Sequence, residues 1–216
     1  MENETTAVTK VQTFNIKPSL VSTQKLVNEL VKYVDDNKLS ANIAGKKYLM
    51  IEAWQFVGSQ LNLTAIVTDI EDVSTETVPK YKATVEVYHN PSGQLVSRGF
   101  ALCSKKESKK STFDEYAIAS MAQTRAIGKA YRNILAWLPK LAGYEGTPAE
   151  EISETVKESM VDDLAKIKSN VFARFKEVGI TDTGKMLELI EKATGKQTID
   201  NVDDAMNVLA ELSKED

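Results

Sequence analysis

The feature that most constrains the fold of this 216-residue chain is a long alanine-rich segment that runs into a proline. Residues 112–138 have helical spacing, Thr112 and Glu115 have capping-box spacing, and Pro139 bars continuation of the helix. Roughly 26 residues at about 1.5 Å each would span about 39 Å. The apolar positions expected to pack on the rest of the fold are Tyr116, Ile127, Ile134 and Leu138. Such a helix needs a broad surface to cover.

Three strand-like segments precede this helix and provide that surface. Residues 63–73 are rich in β-branched side chains, and residues 81–89 alternate between apolar and polar positions. Residues 94–104 follow a loop that contains Pro91 and Gly93, which suits a hairpin. Helical spacing over 22–36 and 47–61 predicts two further helices upstream. We therefore expect an α+β fold with a β-β-β-α core, in which the long helix packs on an antiparallel three-stranded sheet.

The chain divides into three predicted regions. Residues 1–20 are polar and unpatterned, which predicts a flexible arm. Residues 21–147 hold the β-β-β-α core. Residues 148–216 repeat apolar side chains at helical spacing, with glycines between the repeats, and predict a small C-terminal helical bundle. We interpret this bundle as an interaction domain.

Charge is distributed unevenly along the chain. Residues 98–140 carry nine basic and three acidic side chains, a net charge of +6. Residues 141–216 carry nine basic and 17 acidic side chains, a net charge of −8. A basic segment next to an acidic one indicates an anionic partner for the basic part. A solvated basic helix face beside an acidic, solubilising tail is the simpler alternative.

Several classes of protein are disfavoured by composition. The chain has one cysteine and one histidine, which disfavours a disulfide and a zinc site. No phosphate-binding loop is present, because Gly128-Lys129 is followed by Ala130. We expect no enzyme activity, no cofactor and no bound metal. Without a secretory signal or a long apolar run, we expect a cytoplasmic protein that does not enter the membrane.

The long predicted helix carries three cations at i, i+4 and i+7. Arg125, Lys129 and Arg132 lie within about 60° of one another around the helix axis. Without acidic neighbours on that face they repel one another, so the stripe predicts an anionic ligand. Four lysines upstream predict a mobile basic loop at its edge, for which simple solvation is the alternative. These lysines are Lys105, Lys106, Lys109 and Lys110.

The chain contains, in this order, GKKYLMIEAWQFV at 45–57, a strand and hairpin over 85–101, AQTRAIGKAYR at 122–132 and LAGYEGTPAEE at 141–151. Together these four segments resemble the Rad-fifty-two superfamily of single-strand annealing proteins. Residues 45–57 resemble the family's G-x-K-x-x-x-I-E-G stretch, and residues 85–101 follow its strand and hairpin order. Residues 122–132, AQTRAIGKAYR, look like its A-x-T-x-x-x-K-R-A-x-R helix. Residues 141–151, LAGYEGTPAEE, are similar to phage and prophage recombination proteins of this kind. Together the resemblance covers about residues 40–146.

The resemblance implies an oligomeric ring or helical arc that holds single-stranded DNA in a basic groove. Lys129 and Arg132 match basic positions of the family's DNA-contacting helix, whereas Gly128 stands where a lysine is usual. Arg125 is the nearest compensating cation. A family arginine before the Gly-x-Lys stretch has no counterpart, and Lys46 and Lys47 are the nearest substitutes. The DNA-binding residues expected on all these grounds are Arg125, Lys129, Arg132, Lys46, Lys47, Arg98, Lys105, Lys106, Lys109 and Lys110.

The implied function is ATP-independent annealing of complementary single strands in homologous recombination, inside a bacterial or phage-infected cell. Expected partners are single-stranded DNA, the annealed duplex intermediate and further copies of this chain. The C-terminal domain would dock a host single-strand-binding protein or a phage exonuclease. Two alternatives stay open. One is a binding or loading module that does not anneal, and the other is a structural scaffold whose basic helix contacts an acidic protein.

Overall fold

The structure is a computed structural model that describes residues 20–107, 110–152 and 154–214. The predicted arm, residues 1–20, therefore lies outside the described residues except for its last position. In chain order the elements are α1 (Leu20–Asn37), β1 (Ser40–Ile43), β2 (Lys46–Leu49), α2 (Ile51–Gln60), β3 (Leu63–Asp72), β4 (Lys80–His89), β5 (Gln94–Ser104), α3 (Glu115–Leu135), α4 (Trp137–Leu141), a 3₁₀ turn (Ala149–Glu151), α5 (Glu154–Glu177), α6 (Thr183–Thr194) and α7 (Val202–Leu212).

The expected α+β architecture is confirmed. Strands β3, β4 and β5 form an antiparallel sheet in sequence order, and α3 packs against one face of it. The alternation predicted for β4 buries Ala83, Val85 and Val87 against the helix. Val85 pairs with Gly99 across the β4–β5 ladder. One core cluster joins this sheet to α1, α2, α3 and α4.

Helix α3 approaches the sheet through small residues. Ala122, Ala126 and Ala130 are fully buried, and a Cβ atom built on Gly99 would lie 2.5 Å from the backbone nitrogen of Ala130. The helix backbone therefore rests almost directly on β5. The expectation that Tyr116 helps to form this face is wrong, because Tyr116 is 73 % exposed near the helix start.

The predicted ends of the long helix also need correction. Asp114, not Thr112, is the residue before the first turn, and it makes no side-chain capping bond. The helix ends at Leu135, and Pro139 lies inside the separate short helix α4. Proline is tolerated there because the first turn of a helix has no intrahelical use for its backbone N–H.

A β-hairpin replaces the start of the helix predicted over residues 47–61. Strands β1 and β2 pair through the Ala44-Gly45 turn, where φ is 50° and 79°. Two successive residues with positive φ are typical of the turn that closes a tight hairpin. Helix α2 begins only at Ile51.

The C-terminal helices have a core of their own. Val171, Phe175, Ile190 and Leu212 are among the residues that α5, α6 and α7 bury together. This part nonetheless touches the rest of the chain, since a Cβ on Gly45 would overlap the backbone of Asp200. A second small cluster packs the start of α5 against the β1–β2 hairpin and includes Ile43, Tyr48, Ala149 and Met160.

The contact at Gly99 gives the first prediction. We expect Gly99→Ala to destabilise the protein by about 3 kcal/mol, because the added methyl group meets helix backbone that cannot rotate away. Urea unfolding measures this loss. Gly184→Ala in α6 is the matched control, and its effect should stay below about 1 kcal/mol. Equal stability of Gly99→Ala and the natural protein would contradict the close approach of α3.

Candidate nucleic-acid interface

Arg125 is held by several groups of the protein itself. Its guanidinium donates to both carboxylate oxygens of Glu107, at 2.9 and 2.8 Å. It also donates to the backbone oxygens of Glu150, at 3.0 Å, and Leu102, at 3.3 Å. The Leu102 bond reaches the outer edge of β5, so this arginine ties α3 to the edge strand and to the segment after α4.

Glu107 also binds Lys110, so the loop between β5 and α3 is closed by ion pairs. The Lys110 ammonium, in a residue only 6 % exposed, lies 2.9 Å from Glu107 Oε2 and 3.4 Å from Cys103 Sγ. Burial raises the pKa of Glu107, but hydrogen bonds from Arg125 and Lys110 outweigh it and lower the pKa to about 2. Lys110, predicted to lie in a mobile basic loop, is thus a buried structural cation.

Arg132, about two turns beyond Arg125 on α3, is paired as well. Its Nη1 lies 2.6 Å from Oε2 of Glu151. The other oxygen of that carboxylate is buried and has no hydrogen-bond partner among the described residues. Burial raises the pKa of Glu151, against the opposing effect of Arg132. Two of the three stripe cations therefore have anionic partners within the chain.

Residues 148–151 are built into the core as well as charged. Pro148 packs on Gly128, where an added Cβ would lie 3.0 Å from the proline ring. Glu150 Oε1 accepts a hydrogen bond from the backbone nitrogen of Ile51, 99 residues earlier, at 3.0 Å. It thereby satisfies an otherwise unpaired N–H at the start of α2. The small residue at 128, where the family resemblance leads one to expect lysine, makes room for this segment.

Lys129, the third cation of the stripe, makes no ion pair with another described residue. Its ammonium lies 5.7 Å from the centroid of the Phe100 ring on β5, a cation–π distance. Phe100 is 59 % exposed. Glu151 is close enough for the charge of Lys129 to lower the pKa of that carboxyl, but the two side chains form no ion pair. Among the described residues, Lys129 is thus the stripe cation that is not fixed by a direct contact with a carboxylate.

Arg98 lies two residues before Phe100 on β5 and shares its outward face. The side chain is 67 % exposed, although its Nε lies 2.7 Å from Glu86 Oε1 on β4. Its backbone oxygen accepts a hydrogen bond from Asn133 of α3 at 2.8 Å. Arg98 thus emerges on the same face of β5 as the exposed ring, and Lys129 reaches that ring from α3.

The other predicted cations are divided between two places. Lys105 and Lys106 follow the end of β5 and form no ion pair with a described residue, whereas Lys109 lies outside the described residues. Lys46 and Lys47 lie on β2, and Lys46 is 3.8 Å from Glu145. They line a separate polar cleft with Lys140, Asn201 and Asp203. The β2 lysines are therefore not part of the surface formed by β5 and α3.

Phe100 is the residue of this surface that the charge pattern did not indicate. Its place follows from strand alternation, because Gly99, Ala101 and Cys103 point to the helix and the residues between them point away. We name Arg98, Phe100, Lys105, Lys106 and Lys129 the β5 surface.

Comparison with known proteins leaves the family open. No family model, no curated protein and no solved structure matches the chain. The resemblance to single-strand annealing proteins therefore stays a prediction. Among the described residues, no group of three or more His, Cys, Asp or Glu side chains is placed to hold a metal ion. Likewise, none of the helices described here has the length and apolar character needed to span a membrane.

The low pKa of Glu107 gives the second prediction. A carboxyl whose folded pKa is about 2, below its ordinary 4.5, stabilises the fold at neutral pH and loses that effect as the pH falls from about 4.5 to 2. At pH 7 we expect Glu107→Gln to cost about 2 kcal/mol, since Arg125 and Lys110 lose a charged partner. The difference from the natural protein should shrink toward pH 3, as measured by urea unfolding at each pH.

Glu76, exposed between β3 and β4, provides the control for that experiment. Glu76→Gln should have the same free energy of unfolding as the natural protein at pH 7 and at pH 3. If the difference in free energy of unfolding between Glu107→Gln and the natural protein is as large at pH 3 as at pH 7, the Glu107 charge does not stabilise the fold.

Proposed function

We propose that this protein anneals complementary single strands of DNA without ATP, holding phosphates on the β5 surface. The observation that carries the proposal is that Lys129, Lys105 and Lys106 form no ion pair with a described residue, while the Arg98 side chain is 67 % exposed. They belong to the segment of net charge +6. Cations on a rigid helix and an edge strand suit a phosphate backbone of any sequence.

Annealing needs two things from the protein. Phosphate repulsion between two strands must fall, and the base edges must stay free to test a partner strand. Cations supply the first, and contacts made only to the phosphates leave the second possible. Formation of the duplex supplies the free energy, which fits a chain without a phosphate-binding loop. No catalytic residue or cofactor enters this proposal.

The proposal includes self-association into a ring or helical arc, on which the two complementary DNA strands can be aligned. The sheet has two edge strands, β3 and β5, and exposed apolar side chains at Ile66 and Ile70 of β3. Edges and exposed apolar groups of this kind are commonly shielded by neighbours. Sedimentation that finds only a 23.9 kDa monomer, with and without DNA, would remove this part of the proposal.

The third prediction concerns Lys129. Fluorescence anisotropy with an oligonucleotide should show binding whose log affinity falls with log salt at about 0.7 per phosphate neutralised. Lys129→Ala should lower that slope by about 0.7 for each chain engaged, and should slow ATP-free annealing of complementary strands. Lys185→Ala, an exposed lysine in α6, is the control and should change neither.

Three kinds of result would contradict the proposal in different ways. Binding that ignores salt, or annealing that needs ATP, would overturn the function as a whole. Strong, salt-dependent binding with no annealing at the same density of protein on the strand would instead favour a binding or loading module. Binding to an acidic protein with no affinity for DNA would favour the scaffold.

We further propose that α6 and α7, with most of α5, dock a second protein that acts on the same DNA. The observation behind this is that these acidic helices have a core of their own. A truncation that tests it must keep residues 148–160, because Glu150 and Met160 pack with the remainder of the chain. A chain ending at Asp163 should anneal naked strands at the natural rate and fail on strands coated by a single-strand-binding protein. Loss of annealing on naked strands would contradict the assignment of these helices to protein docking alone.

A further inference from the structure

We infer that the Phe100 ring is a stacking platform for a nucleobase of the bound single strand. This rests on the proposed function and deepens it, since it adds a contact to the bases where the function needs only phosphate contacts. The structural basis is a Phe100 side chain that is 59 % exposed and shares its strand face with Arg98, with the Lys129 ammonium 5.7 Å from the ring centroid.

The position of Phe100 argues against a role in the core. Its neighbours in sequence, Gly99 and Ala101, are buried under α3, whereas the Phe100 side chain points from the opposite face of β5. Thr84 is its partner across the β4–β5 ladder. An exposed phenyl ring on this face contributes little to folding because most of its surface stays in water. The ring is therefore available to a ligand.

The chemistry beside the ring indicates what kind of ligand this is. Lys129 lies 5.7 Å from the ring centroid, and Arg98 emerges two residues away on the same face. A flat apolar surface beside cations matches a nucleotide, which presents a flat base and an anionic phosphate together. Stacking of a base on an aromatic side chain is independent of sequence, because every base has a π-face. An acidic protein would use the cations but has no particular need for the ring.

A stacked base is compatible with annealing when only the face of the base is held. Hydrogen-bonding edges then remain free to pair with the complementary strand. A base stacked on the ring would also be separated from the adjacent bases of its own strand. This would keep the flexible single strand extended. Phe100 thus orders the bases while Lys129 and Arg98 neutralise the phosphates.

The test separates bases from phosphates with two ligands of equal length. One is an oligothymidine, and the other is an abasic oligomer with the same number of phosphates. Phe100→Ala should weaken binding to oligothymidine roughly 5- to 150-fold, the range that corresponds to stacking of one base, and should leave binding to the abasic oligomer unaffected. Lys129→Ala should weaken binding to both ligands by a similar factor.

Two further variants complete the design. Leu102→Ala is the matched control, since Leu102 is 41 % exposed on the same face of β5 and has no π-face. It should bind both ligands as the natural protein does. Phe100→Trp should keep the affinity for oligothymidine, and its added indole fluorescence should be quenched by oligothymidine and not by the abasic oligomer.

The outcomes distinguish this inference from the proposed function. If the natural protein binds neither ligand, the proposed function fails. Two patterns would overturn the stacking inference and leave the proposed function standing, provided that the natural protein binds oligothymidine. In the first, Phe100→Ala binds both ligands as tightly as the natural protein does. In the second, Phe100→Ala loses the same factor in affinity for both ligands. The second pattern would assign the ring to the structure of the cationic surface or to a protein interface.

Discussion

The close approach of α3 to β5 is the constraint on which the rest of the structure depends. Gly99 has no side chain, and the helix backbone at Ala126 and Ala130 occupies the space that one would need. With the helix this near, Arg125 and Asn133 reach backbone oxygens on the outer edge of β5, and Lys129 reaches the Phe100 ring. Small residues at one crossing thus bring helix cations and strand side chains onto a single surface.

The distribution of anions then divides the cations of α3 by role. Glu107 and Glu151 neutralise Arg125 and Arg132 and fix the loop before α3 and the turn after α4. These buried pairs give the fold a defined geometry, although buried charges in themselves are weak evidence of stability. Lys129 makes no direct ion pair with a described carboxylate and interacts with Glu151 only at longer range. In this account two stripe cations hold the protein together, and the third is available for DNA.

Sequence periodicity predicted the elements that are long and regular, and missed those set by distant contacts. The alternation in β4 and the loop before β5 were enough to predict the sheet within one or two residues. The four-residue strands around Ala44-Gly45 are too short to show a period. The partners of Arg125 and Arg132 could not be predicted from helical spacing, since they come from a loop 18 residues away and a turn 19 residues away. The charge pattern could not indicate Phe100, because its exposure follows from the alternation of β5.

The most direct test of the central claim is to map where a single strand touches the protein. An oligonucleotide with photoreactive thymidine analogues, irradiated in the complex and digested, identifies the cross-linked peptides by mass spectrometry. The account predicts cross-links within residues 97–106 of β5 and 125–132 of α3, and none in α6 or α7. Cross-links confined to the C-terminal helices, or to the cleft lined by Lys46, Lys47 and Lys140, would contradict it.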